Sequence, residues 1–131
     1  MSDAYVEAYG RDLNEAFGNA ARAVVDTMVD IRKVRSRIKM SFKVEASDLP
    51  GLLYNWLEAV LVKITSDGIV FSSFNVEVLK LENGYSLTSI GRGENFSSVR
   101  HKFKVEAKAV TYHLMDIRFN KGVVVRFLLD L

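Results

Sequence analysis

Ile38-Lys39-Met40-Ser41-Phe42-Lys43-Val44-Glu45-Ala46, running into Ser47-Asp48-Leu49-Pro50, is the stretch on which the fold turns. Ile38, Met40, Phe42, Val44 and Ala46 alternate with Lys39, Ser41, Lys43 and Glu45. A period of two puts one face of a strand in the core and the other in water. The period then lengthens. Ser47 or Asp48 stands where a helix cap belongs, and Pro50 falls in the first turn, where its missing N–H is not needed. Leu52, Leu53, Trp56, Leu57, Val60, Leu61 and Ile64 follow as a broad apolar face. That spacing predicts the central core helix, with Trp56 a packing residue rather than a platform for a ligand.

Toward the N-terminus, Tyr5-Val6-Glu7-Ala8-Tyr9 reads as a short strand stopped by Gly10. Asp12 with Glu15 three residues on has the spacing of a capping box. Leu13, Ala16, Phe17, Ala20, Ala21, Val24 and Met28 form one helical face, fading near Asp30. The small Ala20 and Ala21 predict close packing against a sheet.

Toward the C-terminus, Asp67-Gly68 closes the core helix. Ile69–Phe71 and Phe74–Val78 form one long strand and Tyr85–Ile90 its return, with Asn83-Gly84 suited to a type I′ turn. Gly91 and Gly93 lack a following helix and a G-K-[ST] element, so a bulge or strand exit is expected rather than a phosphate loop. Glu94 to Lys104 reads as a polar loop anchored by Phe96, Val99 and Phe103. Val105–Phe119 and Val123–Leu131 form a last hairpin around Asn120-Lys121-Gly122, its final strand apolar enough for burial on both faces. The order is strand, helix, strand, helix, then four strands: a single α+β domain with a mainly antiparallel sheet and no linker. No repeat is evident from the residues themselves.

The chain has 131 residues, 49% hydrophobic and 26% charged, enough apolar material for one core. A formal net charge of +2 does not announce a nucleic-acid binder. The basic runs Arg32–Arg37 and Arg100–Lys104 read as solvated linkers. With no cysteine, disulfides, thiolate metal sites and cysteine nucleophiles are excluded. No run approaches the ~18–20 apolar residues of a membrane span, and the first residues lack the pattern of a signal peptide. A cytoplasmic protein is expected.

Catalytic patterns are absent. His101 and His113 are the only histidines, and neither sits in H-x-x-x-H or H-E-x-x-H. His101, in a basic loop, is expected to be solvated, and His113, in a strand, to make a structural hydrogen bond. No G-x-S-x-G elbow occurs. The chain ends are less ordinary. Asp3 precedes the first strand and Asp130 lies in the last. If those strands are neighbours, two carboxylates meet at a sheet edge, where carbonyl oxygens and the terminal carboxylate would complete a site for a hard cation. Terminal residues more often fray.

Ser2-Asp3-Ala4 with Ala8-Tyr9-Gly10, Leu13-Asn14-Glu15-Ala16-Phe17, Asn19-Ala20-Ala21, Leu52–Leu57, Gly68–Ser72, Lys108-Ala109-Val110-Thr111-Tyr112-His113 and Leu129-Asp130-Leu131 occur in one order over nearly the whole chain. Together they resemble the archease family. The resemblance implies a strand–helix–strand–strand unit used twice, in a six-stranded sheet or partial barrel with two helices. It implies a non-catalytic helper of the GTP-dependent RtcB-type tRNA-splicing RNA ligase, one that promotes ligase guanylylation and repeated turnover and broadens nucleotide use. tRNA would be met only through the ligase. The family's metal site carries over to Asp3, Asp130 and the main-chain oxygen of Leu131, with Ca²⁺ as the expected divalent cation and Mg²⁺ or Mn²⁺ as alternatives. Lys108, Thr111 and His113 would support the site or meet the ligase, or else serve strand packing. Two departures stand out. Family members usually begin with a further half-strand and an acidic–His pair before the position of Ser2, so the start at Met1 reads as truncated or misassigned. They also carry Asp-Thr before Glu-Gly where this chain has Thr65-Ser66-Asp67-Gly68, so no role for that Asp is carried over. The competing readings are a chaperone-like or general RNA-binding accessory protein and a small metal-dependent hydrolase using Asp3 and Asp130.

Overall fold

A computed structural model describes residues 2–131. The expectation about the start falls on Met1, outside the described residues. Six strands and two helices follow in the expected order: β1 (Asp3–Gly10), α1 (Leu13–Met28), β2 (Ile38–Ala46), α2 (Leu49–Thr65), β3 (Ile69–Leu81), β4 (Gly84–Asn95), β5 (Ala109–Phe119) and β6 (Val123–Asp130). They form two three-stranded antiparallel sheets, ordered β1-β6-β5 and β2-β4-β3. No barrel closes. Among the described residues each helix touches strands of both sheets, while strands of one sheet do not meet strands of the other.

The duplication is nested. The unit β2-α2-β3-β4 is inserted whole between α1 and β5 of a second unit, β1-α1-β5-β6, and in both the first strand pairs with the last. The helices begin alike. Asp12 accepts the N–H of Glu15 at 2.9 Å, and Asp48 accepts that of Gly51 at 2.8 Å. Seven residues after each cap an asparagine amide ties the helix to the preceding strand: Asn19 to the carbonyl of Tyr9 at 2.7 Å, and Asn55 to that of Glu45 at 2.9 Å. The repeat is therefore written in the sequence at an interval of 36 residues, as Asp12-Leu13, Asn19 and Ala23-Val24 against Asp48-Leu49, Asn55 and Ala59-Val60. Side-chain identity elsewhere has drifted too far for the eye to find it.

Trp56 is the centre of the core. It is fully buried, and its indole N–H donates to the carbonyl of Phe17 at 2.9 Å, joining the two helices. Phe42 meets it edge-on at 5.2 Å between ring centres. Ala20 and Ala21 are fully buried, as the small residues predicted.

Four local expectations are corrected. The β3–β4 turn is Glu82-Asn83, neither at positive φ, and Gly84 at φ +147 opens the return strand, so the turn is not type I′. Gly91 and Gly93 lie inside β4, and the bulge is across from them in β3 at Ser72. A side chain at Gly93 would put its Cβ 1.9 Å from the carbonyl oxygen of Val70, so glycine there lets two backbones approach. β6 buries Val123, Val125, Phe127 and Leu129 on one face only, the other being half-buried, because a sheet with helices on one side has only one dry face. Phe96, Val99 and Phe103 are exposed and do not anchor their loop. Buried polar residues do so instead.

Candidate metal centre at the joined chain ends

Pairing of β1 with β6 brings the termini together. The N–H of Leu131 donates to the carbonyl of Ser2 at 3.1 Å, a single bond at a hydrogen-bonding position of the ladder. The next pair inward is Asp3 with Asp130. In an antiparallel ladder it is a non-hydrogen-bonded pair, the kind whose side chains stand closest. The two carboxylates thus share one edge of the outer face, Asp3 exposed and Asp130 partly so. The arginines of that face are engaged elsewhere: Arg126 with Glu7 and Asp116, and Arg118 with Asp116 at 2.6 Å. Arg126 foremost holds the Glu7 carboxyl below its ordinary range, and Arg118 foremost does so for Asp116.

Directly opposed like charges are unfavourable in a ladder. A hard cation removes that cost, and an all-oxygen donor set is the chemistry such a cation takes. The carbonyl of Ser2 is used by Leu131, and that of Asp130 accepts the N–H of Lys108 at 2.7 Å. Two side-chain carboxylates and the main-chain oxygen of Leu131 remain. Among the described residues no group of three or more His, Cys, Asp or Glu gathers as a metal cluster, so main-chain oxygen would have to complete the set. The residues fit a partly coordinated Ca²⁺-type ion.

The structure brings Lys108 to this corner through its main-chain N–H, with its side chain exposed. Thr111 pairs with Leu128, two residues along β6 from Asp130, and its buried hydroxyl has no partner among the described residues. The β5–β6 ladder then breaks until Asp116. His113 lies in that break, exposed and without a hydrogen-bond partner among the described residues, rather than in the structural bond expected of it.

His101 overturns its expectation outright. It is fully buried, and its Nδ1 accepts the N–H of Ser97 at 2.8 Å, so the ring proton sits on Nε2 and is donated to Glu94 at 2.8 Å. Glu94 is also buried. It takes Arg100 through both oxygens at 2.7 and 3.0 Å and the N–H of Arg35 at 2.8 Å, with Arg37 at 3.5 Å. Arg100 foremost, with His101 and the Arg35 amide, holds the Glu94 carboxyl well below the usual range against the opposing effect of burial. The two basic runs are therefore not plain solvated linkers, since one buried carboxylate ties both down. In the sequence Glu94 is one of five glutamates between the two basic runs, and nothing local singles it out.

Two nested β-α-β-β units, with a pair of carboxylates opposed where the chain ends meet, define the class as a small α+β protein. The archease family model matches residues 1–131. An archease of Thermococcus gammatolerans is 42% identical over 92% of this chain and 83% of its own, and one of Sulfurisphaera tokodaii 39% identical over 99% and 93%. The solution structure of Methanobacterium thermoautotrophicum protein 1598 superposes with a TM-score of 0.87 at 35% identity, covering all of this chain and 94% of that one. The chain belongs to the archease family.

Proposed function

We propose that this protein is a non-catalytic activator of an RtcB-type RNA ligase in tRNA splicing, promoting guanylylation and repeated turnover of the ligase through a cation held at its acidic tip. The observation that carries the reading is the direct opposition of Asp3 and Asp130 with, among the described residues, no arginine spent on either. Membership of the archease family supports the choice of a ligase as the partner. Asp3, Asp130 and the main-chain oxygen of Leu131 would hold the ion, Ca²⁺ first and Mg²⁺ or Mn²⁺ by the same donors. When bound, the ion would supply positive charge for phosphate oxygens. Three protein donors fall short of the about six to eight oxygens that Ca²⁺ takes, which leaves positions for water or for a partner's oxygens. The β1–β6 ladder fixes both carboxylates on strands rather than on loops, so the tip is presented without a folding cost.

The test is multiple-turnover RNA joining by the cognate ligase with and without this protein, alongside Asp3→Ala and Asp130→Ala. Stimulation by the wild type, lost in both folded variants, is expected. Wild type without effect sinks the activator reading. The cation is tested apart from activity. Asp130→Asn should raise stability by about 0.5 kcal/mol in chelator, by removing like-charge repulsion, and should abolish the rise in Tm that Ca²⁺ gives the wild type. A wild-type Tm indifferent to Ca²⁺, Mg²⁺ and Mn²⁺ excludes the site.

A further inference from the structure

Far from the acidic pair in sequence, cations gather around the bulge in β3. Ser72 is the unpaired residue between Phe71, opposite Gly93, and Ser73, opposite Arg92. Its hydroxyl donates to the carbonyl of Arg92 at 3.0 Å and meets the hydroxyl of Ser36 at 2.7 Å, while its own carbonyl accepts Nε of Arg22 at 3.4 Å. The segment entering β2 is pinned here by the N–H of Arg37, which donates to the carbonyl of Gly93 at 2.9 Å. One step into the ladder Lys39 stands directly opposite Arg92. Like charges opposed across strands cost stability, and this pair mirrors the acidic pair of the other sheet with the sign reversed.

Among the described residues the only carboxylate within salt-bridge distance of these cations is Glu94, 3.5 Å from Arg37 and already occupied by both nitrogens of Arg100. Arg22, Lys39 and Arg92 form no salt bridge among the described residues, and Arg35 contributes only its main-chain N–H. Several unneutralised cations with serine hydroxyls between them make a surface for phosphate oxygens. A protein partner would want a large apolar centre in its interface. The exposed tyrosines Tyr5, Tyr9 and Tyr112 all lie in the other sheet; beside the bulge the exposed apolar residue is Ile38, while Leu79 and Leu81, also exposed, lie at the far end of β3.

We infer that the cationic surface around the Ser72 bulge, Arg22, Arg35, Arg37, Lys39 and Arg92, binds the phosphodiester backbone of RNA directly and without sequence preference. RNA is then met by this protein itself and not only through a ligase. The inference does not depend on the metal tip or on the ligase reading, and its test uses neither.

The experiment is fluorescence anisotropy of the purified protein with a labelled single-stranded RNA, and with a labelled polyglutamate peptide of equal length, at two salt concentrations. Wild type should bind the RNA with a Kd of about 10⁻⁴–10⁻⁶ M, weakening with salt at a log–log slope of about −0.7 per phosphate neutralised. Arg35→Glu with Lys39→Glu should weaken RNA binding at least about tenfold. Lys80→Glu with Lys121→Glu, which changes net charge equally on other surfaces, should leave it within about twofold. Both pairs are at exposed side chains, and amide shift mapping on the wild type serves if the first pair fails to fold, with RNA-induced shifts expected at Arg37, Lys39, Ser72 and Arg92. Absence of wild-type binding, equal losses in the two double variants, or shifts centred elsewhere would overturn the inference. So would tighter binding of polyglutamate than of RNA, which would assign the surface to an acidic protein.

Discussion

Glu94 shows how one residue can organise two segments that look unrelated in the sequence. Burying a carboxylate is costly unless charge and hydrogen bonds compensate it, and here Arg100, His101 and the Arg35 amide do so together. Its folded-state value lies below its ordinary 4.5, which sets the sign of its pH dependence. The stabilisation is complete above about pH 4.5 and is lost as pH falls toward the folded value. Asp30, held to about 2 chiefly by Arg32, loses its contribution in the same direction. Glu94→Gln should therefore unfold over a pH range from 7 to 3 with a shallower loss of stability than wild type, measured by urea titration at each pH. At pH 7 it should be about 3 kcal/mol less stable, the lower end expected for a broken buried pair, because Arg100 and Arg37 still reach water. Equal slopes for the two proteins would mean that other carboxylates dominate acid unfolding.

Among the elements, the β3–β4 ladder depends on close backbone approach. Gly93 faces Phe71 just before the bulge, and a methyl group there would overlap the backbone of Val70. The contact is with main chain, which cannot swing aside as the end of a side chain can. Gly93→Ala should cost more than about 2 kcal/mol in chemical denaturation. Because the strain falls beside Ser72, the variant should also disturb amide signals of Arg37 and Arg92, whose main-chain groups frame the bulge. A cost below about 0.5 kcal/mol would show that the two strands have room to separate. The helices are the opposite case. Their caps and asparagine ties are local, and the same pattern was set down twice.

For the whole molecule, the helical layer makes one cooperative body of two sheets. Neither sheet could stand on the other's strands, since among the described residues only α1 and α2 reach both. Trp56 is the joint, carrying the bond from α2 to the Phe17 carbonyl of α1. Tryptophan fluorescence and far-UV circular dichroism should give coincident unfolding curves for the wild type, and Trp56→Ala, which removes the single tryptophan and is followed by circular dichroism, should cost about 3–5 kcal/mol. Separate transitions would instead make the inserted unit an independent folding body. The same layer keeps the charged outer faces apart, with opposed carboxylates on one sheet and opposed cations on the other.

Element type and order were determined by the sequence itself. Alternation at Ile38–Ala46, the caps at Asp12 and Asp48 and the apolar face from Leu52 to Ile64 are local signals, and each became the element it predicts. The nested repeat was there too, hidden by drift in the side chains between its fixed points. Only the tertiary structure decided which strands are neighbours. Pairing joins residues far apart in the chain, and no local period encodes the partner. That choice put Asp3 opposite Asp130 and set Lys39 against Arg92, and tertiary packing tied the two basic runs to the buried pair of Glu94 and His101. The carboxylates of the tip were therefore nameable from the sequence, but their opposition belongs to the fold.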